Sequence, residues 1–95
     1  MFIDRREFER EIIDIPARYE NKGKWYDCHI DDISEDGVGL EGIEKLHTND
    51  TIKVEFRGKT FEGKVIYTEG THAGIKFINI TPEERAWITQ QKTIK

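Results

Sequence analysis

The feature that most constrains this chain is an alternation of apolar and polar residues with a period of two, broken at intervals by glycine-bearing turns. Ile13, Ile15, Ala17 and Tyr19 alternate with Asp14, Pro16, Arg18 and Glu20. A strand sends successive side chains to opposite faces, so the pattern predicts a half-buried strand, with Pro16 marking an edge or a bulge. Asn21-Lys22-Gly23-Lys24 reads as a turn, and Trp25 to Ile33 as a second strand alternating through Tyr26, Cys28 and Ile30. Ser34-Glu35-Asp36-Gly37 turns the chain again into a short third strand, Val38 to Leu40. Glu41 to Asp50 reads as a loop with Ile43 and Leu46 tucked beneath it. Ile52, Val54 and Phe56 then face a core, and Arg57-Gly58-Lys59 supplies a hairpin turn. Phe61, Gly63, Val65 and Tyr67 continue in the same phase; after a turn at Glu69-Gly70-Thr71, Ala73, Ile75 and Phe77 form a last strand.

Composition supports this reading. The chain has 14 Ile and 8 Thr against 2 Leu, and branching at Cβ favours strands over helices. One helix is announced at the end. Thr81 is a good N-cap, Pro82 fits the first helical position, and Glu84 completes a capping box. Ala86, Trp87 and Ile88 offer it a short apolar face that must lean on the sheet. The expected fold is mainly β: a small six-stranded antiparallel β-barrel with a C-terminal α-helix. At 95 residues the expectation is one domain, with a leader over 1–10, the barrel over 11–80 and the helix over 81–95.

A net charge of −4 argues against long nucleic acid as a partner. Cys28 is the single cysteine, which suits a reducing cytoplasm, the expected location. No apolar run approaches the ~18 residues of a membrane span, and no signal-peptide core is seen, so membrane insertion is not expected.

Two short stretches carry the chemistry. Arg5-Arg6-Glu7-Phe8-Glu9-Arg10 concentrates guanidiniums in a polar leader. Asp32-Ile33-Ser34-Glu35-Asp36-Gly37 puts a carboxylate, a hydroxyl and a glycine into a turn between strands. Guanidinium forks and an Asp/Ser turn suit a phosphate and a guanine edge. Arg-x-x-x-Arg followed by Asp-x-Ser-x-x-Gly resembles the PilZ domain family. Gly63-Lys64-Val65-Ile66-Tyr67 and Ala73-Gly74-Ile75-Lys76-Phe77 resemble that family's closing strands.

The resemblance implies a barrel followed by a helix and a ligand, cyclic di-GMP, wrapped on the barrel exterior. It implies that Arg6 and Arg10 meet phosphate oxygens and the guanine O6/N7 edge. Asp32 would accept from guanine N1–H and the exocyclic amine with Ser34 beside it, and Gly37 would free the backbone to turn. Arg5 is a further candidate that accompanies binding of two stacked ligand molecules. The implied mechanism is ordering of a loose leader by ligand, read by an unidentified downstream protein, with no cofactor. An alternative is a PilZ-like adaptor that binds protein and no nucleotide. A third is an OB-like or cold-shock-like barrel for single strands, which would want basic, aromatic strands.

The remaining candidates read as structure. His29, His47 and His72 have no ligand spacing, and Cys28-His29 lacks a third orienting or ligating group. Asp31-Asp32 and Glu35-Asp36 are accounted for by turn chemistry. Trp25, Tyr26 and Trp87 are expected in the core. No acid–base or nucleophile set is visible, so an enzyme is not expected.

Overall fold

The computed structural model describes residues 13–92. Six strands among them, β1 (Ile15–Asn21), β2 (Lys24–Ile33), β3 (Gly37–Glu41), β4 (Thr51–Phe56), β5 (Lys59–Glu69) and β6 (His72–Phe77), close into a barrel in the order β1-β2-β3-β6-β5-β4. Every pairing is antiparallel. A helix, α1 (Pro82–Gln91), follows. The expected leader over 1–10, with Arg5, Arg6 and Arg10, lies outside the described residues, as do residues 93–95 at the end of the expected helix.

The hairpins β1–β2 and β4–β5 turn on the pairs Lys22-Gly23 and Arg57-Gly58, in which both residues have positive φ. That backbone matches the right-handed strand twist, and glycine adopts it without a Cβ penalty. Inward residues of all six strands form one core, with Tyr19, Ile30, Leu40, Val54 and Val65 fully buried. Pro16 is tolerated because β1 pairs with β4 only over Arg18–Glu20, leaving Pro16 ahead of that seam.

The two barrel ends are closed differently. At one end the loop 42–50 buries Ile43 and Leu46, as expected. The Tyr19 hydroxyl accepts from the Glu44 and Lys45 N–H groups at 3.2 and 3.3 Å, and Asn21 donates to the Lys45 carbonyl at 3.0 Å. At the other end α1 lies against the β4–β5 hairpin. Its capping box forms: Thr81 Oγ1 accepts from the Glu84 N–H, and Glu84 Oε1 accepts from the Thr81 N–H. The helix buries Ile88 and Gln91, with Trp87 half-buried against the Phe56 and Phe61 rings at 5.3 and 5.7 Å. Ala86 is exposed, against expectation, because the face that meets the barrel runs through Trp87, Ile88 and Gln91 at helical spacing. Gln91 is buried as a polar partner, accepting from Arg57 Nη1 at 2.7 Å and donating to the Trp87 carbonyl.

Three aromatic expectations resolve differently. Tyr26 is half-buried and stacks on Tyr19 at 5.0 Å. Trp25, expected in the core, is exposed; the parity that turns Tyr26 inward turns Trp25 outward, where the Arg18 guanidinium lies 5.0 Å from its ring. Tyr67, expected to face the core, is also outside, for a reason given below.

Cys28 points into the barrel, and burial, reinforced by the nearby Asp27 charge, pushes its thiol up to about 12. The thiolate is the reactive species. At pH 8 the folded protein should therefore resist iodoacetamide and label fully once unfolded in urea, as followed by mass spectrometry. The raised thiol adds stability that is intact below its ordinary value of 9.0 and is lost as pH rises toward 12.

Candidate functional site

The Asp-x-Ser-x-x-Gly segment runs from the end of β2 (Asp32, Ile33) through the connecting turn to Gly37 at the start of β3, at the barrel end closed by α1. The turn is internally bonded. Ser34 N–H donates to the Gly37 carbonyl at 2.9 Å, and Gly37 N–H donates to Ser34 Oγ at 3.2 Å. The Arg85 guanidinium of α1 pairs with Asp36 and ties the helix to this turn. Asp32, near the end of β2, and Ser34, in the turn that follows, are both exposed. Gly37 has a different task from the one expected. Its φ is not positive, and a Cβ there would sit 1.9 Å from the Ile75 carbonyl oxygen. It is a spacing residue that lets β3 approach β6.

Beside this rim the sheet carries a row that the sequence did not reveal. Asp32 of β2 pairs with Gly39 of β3, Gly39 with Gly74 of β6, and Gly74 with Tyr67 of β5. The row crosses four adjacent strands on the barrel exterior, with a glycine floor between an acidic and an aromatic end. Each end is doubled by a β-bulge. One lies between Ile30 and Asp32 and turns both Asp31 and Asp32 outward; the other lies between Val65 and Tyr67 and turns both Ile66 and Tyr67 outward. An extra residue on one strand switches the face of everything that follows, and bulges commonly re-aim side chains beside functional sites. Ile66 and Tyr67 are consequently 52% and 44% exposed.

His72 joins the two ends. Its Nε2 lies 3.1 Å from Asp31 Oδ1 and its Nδ1 lies 3.3 Å from the Tyr67 hydroxyl. Glu41, which pairs with His72 across β3 and β6, accepts from the Thr71 hydroxyl and the Gly42 N–H. Those bonds, the Thr71 hydroxyl first, hold its carboxyl below the ordinary carboxylate value, with His72 adding in the same direction. A shallow depression of about 230 Å³ opens next to the row, lined by Ser34, Asp36, Gly37, Ile66, Ile75 and Lys76. Among the described residues no group of three or more His, Cys, Asp or Glu side chains gathers in metal-binding geometry.

The family model of the PilZ domain matches residues 4–91. The chain belongs to the PilZ domain family. The crystal structure of the PilZ domain of CeSA from a cellulose synthesizing bacterium superposes with a TM-score of 0.67 at 11% identity, over 84% of this chain and 90% of that one. No curated protein matches the chain.

Within this PilZ barrel, the sequence motif accounts for Asp32, Ser34 and Gly37 but not for Asp31, Ile66, Tyr67 or His72. For Asp31 and His72 the sequence carried no signal; for Ile66 and Tyr67 it marked an irregularity without fixing the face. Val65-Ile66-Tyr67 breaks strict alternation, and glycines inside strands mark close approach. Chemically, the rim offers carboxylate acceptors at one end, an aromatic surface at the other, and the cations Lys64 and Lys76 paired across β5 and β6 next to the turn. Among the described residues no helix is long and apolar enough to cross a membrane.

Proposed function

We propose that the chain is a cyclic di-GMP receptor whose leader arginines close over the ligand on the barrel exterior. The observation that carries this reading is where the leader joins the barrel. Ile15 pairs with Ile30, and the Asp14 carboxylate lies 2.8 Å from His29 Nδ1, so the chain enters β1 alongside the stretch of β2 that leads to Asp32. Arg10 precedes Asp14 by four residues, a reach of up to ~14 Å. Asp32 follows His29 by three, about 10 Å along a strand. The tether is long enough for Arg10 to meet a ligand held at Asp32, and Arg6 lies one helical turn's worth of sequence further out.

The roles follow from the chemistry. Arg6 and Arg10 supply forked donors to phosphate and to the guanine O6/N7 edge. Asp32 accepts from guanine donors, and Lys76 adds a cation beside the Ser34 turn. Arg5 supports a stacked pair of ligand molecules. Ordering of the leader offsets part of the binding energy and creates the surface that a downstream protein reads. Family membership supports the ligand class; the intact arginine and Asp-x-Ser-x-x-Gly motifs favour the receptor over the nucleotide-free adaptor.

Titration calorimetry with cyclic di-GMP, against GTP and cyclic AMP as controls, tests this. Arg10→Ala and Asp32→Ala are each expected to weaken binding about tenfold or more, the loss of one charge-assisted hydrogen bond, with unchanged circular dichroism. Absence of heat with the parent protein would return the adaptor reading, and wild-type affinity in both variants would remove the assigned roles.

A further inference from the structure

At the barrel end opposite α1, the tip of the β1–β2 hairpin and the loop 42–50 enclose a cavity of about 490 Å³, lined by Lys22, Lys24, Tyr26, Glu44, Lys45 and His47. Its walls are braced by backbone. The Tyr19 hydroxyl accepts from the Glu44 and Lys45 N–H groups, and the His47 N–H donates to Asp50 Oδ2 at 2.9 Å. Asn21, also in the wall, donates to the Lys45 carbonyl at 3.0 Å and to Asp50 Oδ2 at 3.3 Å. Tyr26 is half-buried, its ring stacked on Tyr19. Charge gathers here against the trend of a chain with a net charge of −4: three ammonium groups line the cavity against one carboxylate, Glu44. Among the described residues Lys22, Lys24 and Lys45 form no ion pair. Solvated lysines are common on surfaces, but Lys22 is not placed as one of them. It stands in the hairpin turn at φ 55, a left-handed conformation that asparagine or glycine adopts with less strain. Arg57 holds the equivalent place in the β4–β5 hairpin at φ 50, and its guanidinium is used, donating to Gln91. Lys22 carries the same backbone strain with no such partner among the described residues.

We propose that this cavity is a second binding site, for a soluble phosphate-bearing anion of the pyrophosphate class. An ammonium is a compact point charge that meets tetrahedral phosphate oxygens from any direction, whereas a planar carboxylate is matched better by the guanidinium fork. The wall holds lysines and no arginine. Three such cations suit an anion whose charge is spread over two adjacent phosphates. The Tyr26 hydroxyl adds a neutral donor. Glu44 offsets part of the field and leaves an excess of positive charge. The volume falls in the range of small-molecule sites, ~300–1,000 Å³, and the pre-bonded loop leaves mainly lysine side chains to be ordered on binding. The site is separate from the motif end. Lys24 and Asp32 lie toward opposite ends of β2, eight residues apart, about 26 Å along a strand. The inference therefore does not depend on the receptor reading.

The test adds pyrophosphate to the isotope-labelled full chain, without divalent cations and at about 150 mM salt, and follows the backbone amides by NMR. Citrate serves as a carboxylate of comparable charge. Saturable shifts are expected at residues 22–24 and 44–47, with citrate bound at least about fivefold more weakly. Lys22→Asn should weaken pyrophosphate binding about tenfold, the loss of one charge-assisted contact, and should melt no lower than the parent, because asparagine suits the turn. Lys92→Gln, which removes one charge at the end of α1, should bind as the parent does. Shifts that do not saturate, equal binding of citrate, or parent-like affinity in Lys22→Asn overturns the site. Equal losses in Lys22→Asn and Lys92→Gln overturn it as well, since net charge would then be the cause. A Lys22→Asn protein that melts below the parent overturns it too, because the lysine would be held by a contact within the fold. Cosedimentation with phosphatidylglycerol vesicles, without a saturable response to pyrophosphate, also overturns it and assigns the lysines to a diffuse membrane charge.

Discussion

Replacing Gly37 with alanine is expected to destabilise the protein by on the order of 3 kcal/mol, although the change adds one methyl group at the rim of the barrel. The added Cβ would lie 1.9 Å from the Ile75 carbonyl oxygen, 3.0 Å from its carbon and 3.1 Å from Lys76 Cα. All three are backbone atoms, so no rotamer change relieves the overlap. The β3–β6 seam, in which Gly37 pairs with Lys76, has to open, and that seam is one of those that close the barrel. Urea unfolding should show a lower midpoint at similar slope, and the melting temperature should fall by roughly 4–8 °C for each kcal/mol in a domain this size. Gly74→Ala is the control. The atoms in its way belong to the Tyr67 ring, which can swing into solvent, so its stability loss should be well below that of Gly37→Ala. Equal melting curves for the two variants would contradict this account of the motif glycine. Where Gly37→Ala melts earlier as expected, its weak ligand binding would report a damaged sheet rather than a lost contact.

The largest loss is expected from Phe56→Ala, about 3–5 kcal/mol, the range for truncating a buried aromatic. Phe56 is 2% exposed, and its ring meets those of Phe61 and Trp87 at 5.9 and 5.3 Å. Because domains are stable by only ~5–15 kcal/mol, such a change removes a large share of the total. It also removes the footing of α1. A helix of 10 residues is marginal by itself, and this one relies on Trp87, Ile88 and Gln91 against the barrel. The helical circular dichroism signal should therefore weaken before the strands unfold. Trp25→Ala, at an exposed ring that touches Arg18, is the matched control and should change stability little. A Phe56→Ala protein as stable as the Trp25→Ala protein would show that the helix does not seal the barrel.

These expectations separate what was legible from what was not. The barrel could be read because Ile15, Ala17 and Tyr19, or Ile52, Val54 and Phe56, carry their burial in local alternation. The helix start could be read because Thr81, Pro82 and Glu84 act on neighbouring backbone. Ser34 could be placed on a turn and Asp32 just ahead of it, at the end of β2; both are exposed. Tyr67 could not be placed, because the bulge after Val65 reverses its face and the bulge exists only against β6. Nor could the pairing of His72 with Asp31, 41 residues apart, which arises when β2, β3 and β6 come side by side.

By itself the chain's sequence determined which segments become strands, where the helix begins, the membership in the PilZ family and the two motifs that point to a ligand. All of these depend on residues within a few positions of one another. Tertiary structure alone decided that Gly37 separates backbones, that Gly39 and Gly74 make a floor, and that Tyr67 lies on it facing outward. The reason is that strand register is a relation between segments. One inserted residue in either partner reverses which side chains meet the core and which meet the outside.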